Sequence, residues 1–119
     1  MNDAKGTARA RIWGDKAERI EAALASLDPD LAKLITEVAY DTVFERPGLD
    51  LKTRELLAVA MLIAVGSERE LETHLRGALN CGATTEELKE IVLQAAMYLG
   101  FPKAVAAMRV LKNTLEQSQ

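Results

Sequence analysis

The sequence is poor in the residues most often recruited for chemistry. Its 119 residues include one cysteine, one histidine and one tryptophan. A lone Cys81 excludes an internal disulfide and a Cys-x-x-Cys redox pair, and it points to a reducing compartment. With a single histidine, no His-Glu-x-x-His pattern and no clustered ligands, no metal site is expected within one chain. No glycine-rich phosphate loop occurs, and no cofactor is expected. Aromatic residues make up only 4% of the chain, so its core must be built from Ala, Leu, Val and Ile. The net charge of −3 and the lack of a dense basic patch argue against a nucleic-acid partner. The longest apolar run, from Leu56 to Val65, is ten residues, about half of a membrane span. No membrane contact is expected. The start, MNDAKGTARAR, has basic residues with no apolar run after them, so it does not read as a secretory signal. The cytoplasm is the expected location.

What the chain does carry is helical punctuation. Its length suits one domain over residues 1–119, with 1–10 and 116–119 expected to fray. Asp15 can cap a first helix from Lys16 to Leu27, with Ala17, Ile20, Leu24 and Leu27 at helical spacing. Asp28-Pro29 restarts a helix whose apolar stripe is Leu31, Leu34, Ile35 and Val38. Arg46-Pro47-Gly48 breaks it. Asp50 caps a third helix that reaches Val65 and is apolar on all faces from Leu56, which predicts that another subunit covers part of it. Ser67 to Glu70 and Thr84 to Glu87 read as capping boxes for two more helices, ended by Gly82 and Gly100. A sixth, rich in alanine, runs from Lys103 to Leu115. The fold class is therefore an all-α bundle of about six helices, oligomeric because so short a chain buries only a modest core alone.

The fourth helix holds the candidate chemistry. Leu71, Leu75, Ala78 and Leu79 form its buried stripe, and Glu70, His74, Gly77 and Cys81 lie along one edge of that stripe. Gly77 and Ala78 leave room above the backbone beside His74. Glu70, one turn before His74, can fix its tautomer. Glu72 and Arg76 read as a solvated i,i+4 pair. Cys81 is two turns from His74, roughly 10 Å along the axis, and cannot pair with it. It reads equally as a small buried hydrophobe. Arg54 sits unfavourably at a helix N-terminus. It needs Glu55, Asp50 or a bound carboxylate as partner.

Three segments carry a family resemblance: LITEVAYDTVF, ERPGLDLKTREL and HLRGALNCGATTEELKEIVLQAAMYLGFPKA. From about Arg11 to Leu111 the chain resembles the carboxymuconolactone decarboxylase family, part of the alkylhydroperoxidase D-like superfamily. The resemblance implies an all-α oligomer, trimer or hexamer, and a small-molecule substrate. In the alkylhydroperoxidase D branch a Cys-x-x-Cys pair is followed by a His, with a Glu on the preceding helix. Here Ser67 and Glu70 stand at the thiol positions, while the relay Glu and His match Glu55 and His74. The chain is thus closer to the decarboxylase branch. It departs from that branch at Ala39-Tyr40-Asp41, where Trp is usual, at Glu55, where a small hydroxyl residue is common, and at Cys81-Gly82, where Asn-Gly is usual.

The resemblance implies cofactor-free decarboxylation of a carboxylated lactone in aromatic catabolism. His74 would move the proton, Glu55 or Glu70 would orient it, and Arg54 would hold the substrate carboxylate. The alternatives are an alkylhydroperoxidase-like or peroxiredoxin-type antioxidant working through Cys81, and a non-catalytic small-molecule-binding paralogue.

Overall fold

The computed structural model describes residues 6–117, and every regular element among them is helical. Six helices stand where punctuation places them, and a short one precedes them. Helix α1 is Thr7–Trp13, joined by a 3₁₀ turn at Gly14–Lys16 to α2 at Ala17–Leu27. Helix α3, Pro29–Leu34, passes without a break into a π-helix at Ile35–Val43. Then come α4 (Leu51–Val65), α5 (Glu68–Asn80), α6 (Thr85–Leu99) and α7 (Phe101–Gln117).

The N-terminal helix corrects the expected fraying of residues 6–10. Ala8 and Ile12 are buried, and the Ala8 N–H donates to Glu45 Oε2 at 2.8 Å. Arg9 grips Asp41 through Nε–Oδ1 at 2.9 Å and Nη2–Oδ2 at 3.3 Å. At the other end α7 continues through Glu116 to Gln117. The rest of the expected frayed ends, 1–5 and 118–119, lies outside the described residues.

Most caps behave as their sequences require. Asp28 Oδ2 accepts from Leu31 N–H and Asp50 Oδ1 from Thr53 N–H, each at 2.8 Å. Thr84 and Glu87 close a reciprocal capping box at 2.9 and 3.0 Å. Two expected caps differ. Asp15 lies inside the 3₁₀ turn, and α2 starts after Lys16 with no side-chain cap. Gly14 makes that turn possible, with φ 59° and the Asn80 side chain against its Cα. Ser67 forms no capping box, because its hydroxyl donates to the Glu70 carboxylate instead of accepting a backbone N–H.

Two hydrophobic clusters result. The larger is aliphatic and joins α4 to α7 through residues such as Val59, Ile63, Leu71, Leu75, Leu88 and Val92. The smaller holds Ala8, Ile12, Trp13, Tyr40 and Cys81. The apolar stripe read for this segment is only partly inside: Ile35 packs against the smaller cluster, while Leu31, Leu34 and Val38 face outward. Within the π-helix Tyr40 turns inward. Each π turn closes i→i+5, as in Phe44 N–H to Ala39 O at 2.8 Å, and so rotates the buried face away from the α-helical register. On α4 the buried positions are Glu55, Val59 and Ile63, while Leu57, Met61 and Val65 are exposed.

Candidate active site

The site forms where α4 and α5 face each other near α1. Glu55 is the first buried residue of α4 and is completely enclosed, at 0% exposure. His74, near the middle of α5, keeps 16% of its side chain exposed. Its Nδ1–H donates to Glu55 Oε1 at 2.8 Å. That bond fixes the tautomer and leaves Nε2 as the working nitrogen. The second carboxylate oxygen, Glu55 Oε2, is buried with no hydrogen-bond partner among the described residues.

Gly77 is what permits this approach. A Cβ there would stand 2.5 Å from Glu55 Oε1 and 2.7 Å from Ile12 Cγ2. The room that the sequence shows beside His74 is therefore taken up by the Glu55 carboxylate and by Ile12 of α1. It is no open recess.

An aromatic stack supports the imidazole from behind. Trp13 lies 4.7 Å from Tyr40, Tyr40 4.9 Å from Phe44, and Phe44 6.5 Å from His74, ring centre to ring centre. Trp13 Nε1–H donates to the Tyr40 hydroxyl at 3.2 Å. Burial pushes the Tyr40 phenol up to about 12, a hydrogen bond with Trp13 opposes this, and the Glu55 charge adds to it. The hydroxyl is therefore protonated at any physiological pH.

The other candidates from the sequence separate from this pair. Glu70 is exposed and bonded to Ser67, so Glu55 is the partner of His74. Arg54 donates from Nε to Leu49 O at 3.2 Å and from Nη2 to Arg46 O at 3.1 Å, clamping the loop before α4. In place of Glu55 or Asp50, its partners within the chain are these backbone carbonyls. Glu72 and Arg76 form the expected i,i+4 pair at 2.7 Å. Cys81 is buried. Burial raises its thiol, and the effects of Arg11 (lowering) and Glu55 (raising) are smaller. A reactive thiol needs the reverse.

Sequence reasoning missed Ile12, Trp13, Tyr40 and Phe44 as parts of the site. The lone Trp and two of the few other aromatics were the available signal, because scarce aromatic residues that converge deserve a reason. A cleft of about 700 Å³ is lined by Ile12, Trp13, Arg19, Thr73, Arg76 and Asn80 among others, and His74 is not in its lining. The Glu55–His74 pair, and not this cleft, is the candidate acid–base group.

Comparison with known proteins gives the family. The model of the carboxymuconolactone decarboxylase family matches residues 29–113. The chain belongs to that family. It is 37% identical over 109 residues to a 4-carboxymuconolactone decarboxylase of Acinetobacter baylyi, covering 91% of this chain and 81% of the relative. It is 43% identical over 102 residues to a nitrosuccinic acid decarboxylase of Metarhizium robertsii, covering 83% of this chain and 71% of the relative. Both relatives are named for loss of a carboxyl group. Glu55, His74 and Gly77 fall inside the matched family segment, whereas α1, with Ile12 and Trp13, precedes it.

Proposed function

We propose that the protein is a decarboxylase of a small carboxylic acid whose own structure accepts the electrons, so that neither metal nor organic cofactor takes part. The observation that carries this is the buried Glu55 carboxylate bonded at 2.8 Å to a partly exposed His74. Such a pair holds a proton at His74 Nε2 and returns it along a fixed direction.

For a carboxylated lactone, the substrate our sequence reading favours, the bond from ring carbon to carboxylate breaks and carbon dioxide leaves. The electron pair spreads into the conjugated ring and onto the lactone carbonyl oxygen. The His74 imidazolium then gives its Nε2 proton to carbon, and solvent restores that proton. Its Nδ1–H stays on Glu55 throughout, so the ring cannot rotate away. A positioned general acid of this kind contributes typically 10²–10⁴-fold.

The substrate carboxylate needs a cation. Arg54 is our candidate for this contact: its Nε and Nη2 donate to Leu49 O and Arg46 O, and its guanidinium has further N–H donors for a carboxylate. Arginine suits bidentate carboxylate binding.

A second substrate reading has its own support. The relative at 43% identity is named for nitrosuccinic acid, in which a nitro group is the electron acceptor. Lactone and nitro acid make the same demand on the protein, a proton delivered to a carbon of the delocalised anion that loss of carbon dioxide leaves.

The apolar outer face of α4 and α6, with Leu57, Met61, Val65, Leu93, Met97 and Tyr98 exposed, supports a homo-oligomer, trimer or hexamer. A groove of about 510 Å³ runs between these two helices. Among the described residues no helix is long and apolar enough to cross a membrane.

The test is carbon dioxide release from 4-carboxymuconolactone and, separately, from nitrosuccinic acid, with His74→Ala alongside. Turnover of one substrate that falls about 10²–10⁴-fold in the variant is expected. Full turnover by His74→Ala removes the pair from the mechanism. Folded wild type that releases carbon dioxide from neither substrate overturns the reading.

A further inference from the structure

The mechanism uses one oxygen of Glu55 and leaves the other unexplained. A completely buried carboxylate oxygen without a donor costs free energy of the order of a lost hydrogen bond to a charged group, about 1–3 kcal/mol. Such an atom normally has a purpose, and the neighbours restrict what can serve it. On the Oε1 side the carboxylate is hemmed in by Gly77 and the Ile12 methyl, which donate nothing from their side chains. Two titratable neighbours feel its charge, Cys81 and Tyr40. A thiol is a weak donor. A phenol is a strong one, and that of Tyr40 keeps its proton.

The Tyr40 hydroxyl is also held with its proton free for another acceptor. Its oxygen accepts Trp13 Nε1–H at 3.2 Å, and its own O–H has no acceptor among the described residues. Donor and acceptor are thus each incomplete and buried, and contacts join them on two sides, from Glu55 through His74 and Phe44 to Tyr40, and from Tyr40 through Trp13 and its neighbour Ile12 back to the space that Glu55 shares at Gly77. The segment that carries Tyr40 is the π-helix Ile35–Val43, a backbone form found mostly where function has paid for it. Its register turns Tyr40 inward and stacks it on Phe44, which in turn stacks on His74.

We propose that Tyr40 is a positioning residue for the Glu55–His74 pair, its Trp13-anchored hydroxyl supplying the donor that Glu55 Oε2 lacks through one bridging water. With both oxygens bonded, the carboxylate plane is fixed, and Oε1 stays on His74 Nδ1. The proposal rests on the decarboxylase reading for its kinetic consequence and on geometry alone for its spectroscopic one.

Two measurements test it. Tyr40→Phe keeps the ring and its stacking and removes only the hydroxyl. It is expected to lower kcat about tenfold, the loss of one hydrogen bond that steadies a charged group, with KM within about twofold. Wild-type kcat in a folded Tyr40→Phe protein overturns the proposal, because a purely structural phenol would change stability and not turnover. The second measurement needs no substrate and no folded Tyr40 variant. The chain has two tyrosines, so ¹³Cζ-tyrosine labelling in a Tyr98→Phe background gives Tyr40 as the sole signal. Glu55→Gln is expected to move that signal toward the position of a free neutral phenol, as the carboxylate acceptor is lost. An unmoved signal overturns the proposal. If wild type turns over neither substrate, the decarboxylase reading fails while the ¹³C result still decides whether Tyr40 serves Glu55.

Discussion

The two hydrophobic clusters differ in kind as well as in size. The one between α4 and α7 is aliphatic, filled by leucine, valine, isoleucine and alanine. The one between α1 and the π-helix gathers Trp13, Tyr40 and Cys81, with Phe44 packed against it. Glu55 belongs to the seam between them. Its helix buries Val59 and Ile63 in the first cluster, while its carboxylate lies beside Ile12 of the second, where both would meet a Cβ at Gly77. The difference teaches a division of labour. The aliphatic cluster holds α4 against α5. The aromatic cluster fixes where the pair on those helices points.

That division is most sharply tested by neighbouring residues on α5. Leu75 follows His74 in sequence, points into the aliphatic cluster and is 1% exposed. Leu75→Ala is expected to cost about 2–5 kcal/mol of stability, by lost burial and the cavity left behind. Urea unfolding measures that cost. Turnover per folded molecule should stay near wild type, the opposite of His74→Ala. A Leu75→Ala protein that is stable but inactive would show that the two clusters are not separable.

Gly77→Ala attacks the seam itself. The added methyl meets Glu55 Oε1 at 2.5 Å and Ile12 at 2.7 Å, and Gly77 lies mid-helix, so no backbone benefit is blocked by a positive φ. Overpacking of this kind costs about 1–3 kcal/mol, against a gain of up to about 1 kcal/mol in helix propensity. A net loss is expected in thermal unfolding, together with reduced kcat as the carboxylate is pushed off Nδ1. A stabilised, fully active Gly77→Ala would mean that Glu55 has another resting place and that the contact with His74 is incidental.

The same seam marks how far the sequence could be read. The aliphatic half was legible, because Leu71, Leu75, Leu88 and Val92 recur at helical spacing between strong punctuation marks. His74 and Glu55 were legible as a pair only through family resemblance. By spacing alone Glu70, one turn away, is the better partner for His74, and the structure gives it to Ser67. Contacts between different helices are not encoded in local periodicity. Nor was the π-helix visible, since an α-helical reading of Leu31, Leu34, Ile35 and Val38 is internally consistent and buries Leu31, Leu34 and Val38, which face outward. The aromatic half depends on α1, a short helix whose buried residues make sense only when Tyr40 and Asn80 are beside it. Asn80 Nδ2 donates to Ile12 O at 2.8 Å, a link that spans most of the chain.

The smallest expected effect concerns pH and separates helix ends from the site. Asp50 is held below the usual carboxylate range by hydrogen bonds from Thr53, and Glu87 by the Thr84 backbone N–H and then by Lys52, which it meets at 2.9 Å. Both groups have a folded value below the unfolded one. Their contribution is therefore fully present above the unfolded carboxylate value, about 4, and is lost as pH falls through the folded value. Both side chains sit in open solvent, so salt and water damp the effect. The expected result is a urea midpoint nearly flat from pH 7 to 5 and falling below about pH 4. In the Asp50→Asn/Glu87→Gln double variant the acid fall should be shallower, from a lower starting point. Both positions lie in the aliphatic half, at the starts of α4 and α6, where they cap helices and touch neither Tyr40 nor His74. Turnover of the variant at neutral pH should therefore match wild type, and a matching loss of turnover would mean that the N-terminus of α4 reaches the site through more than its fold.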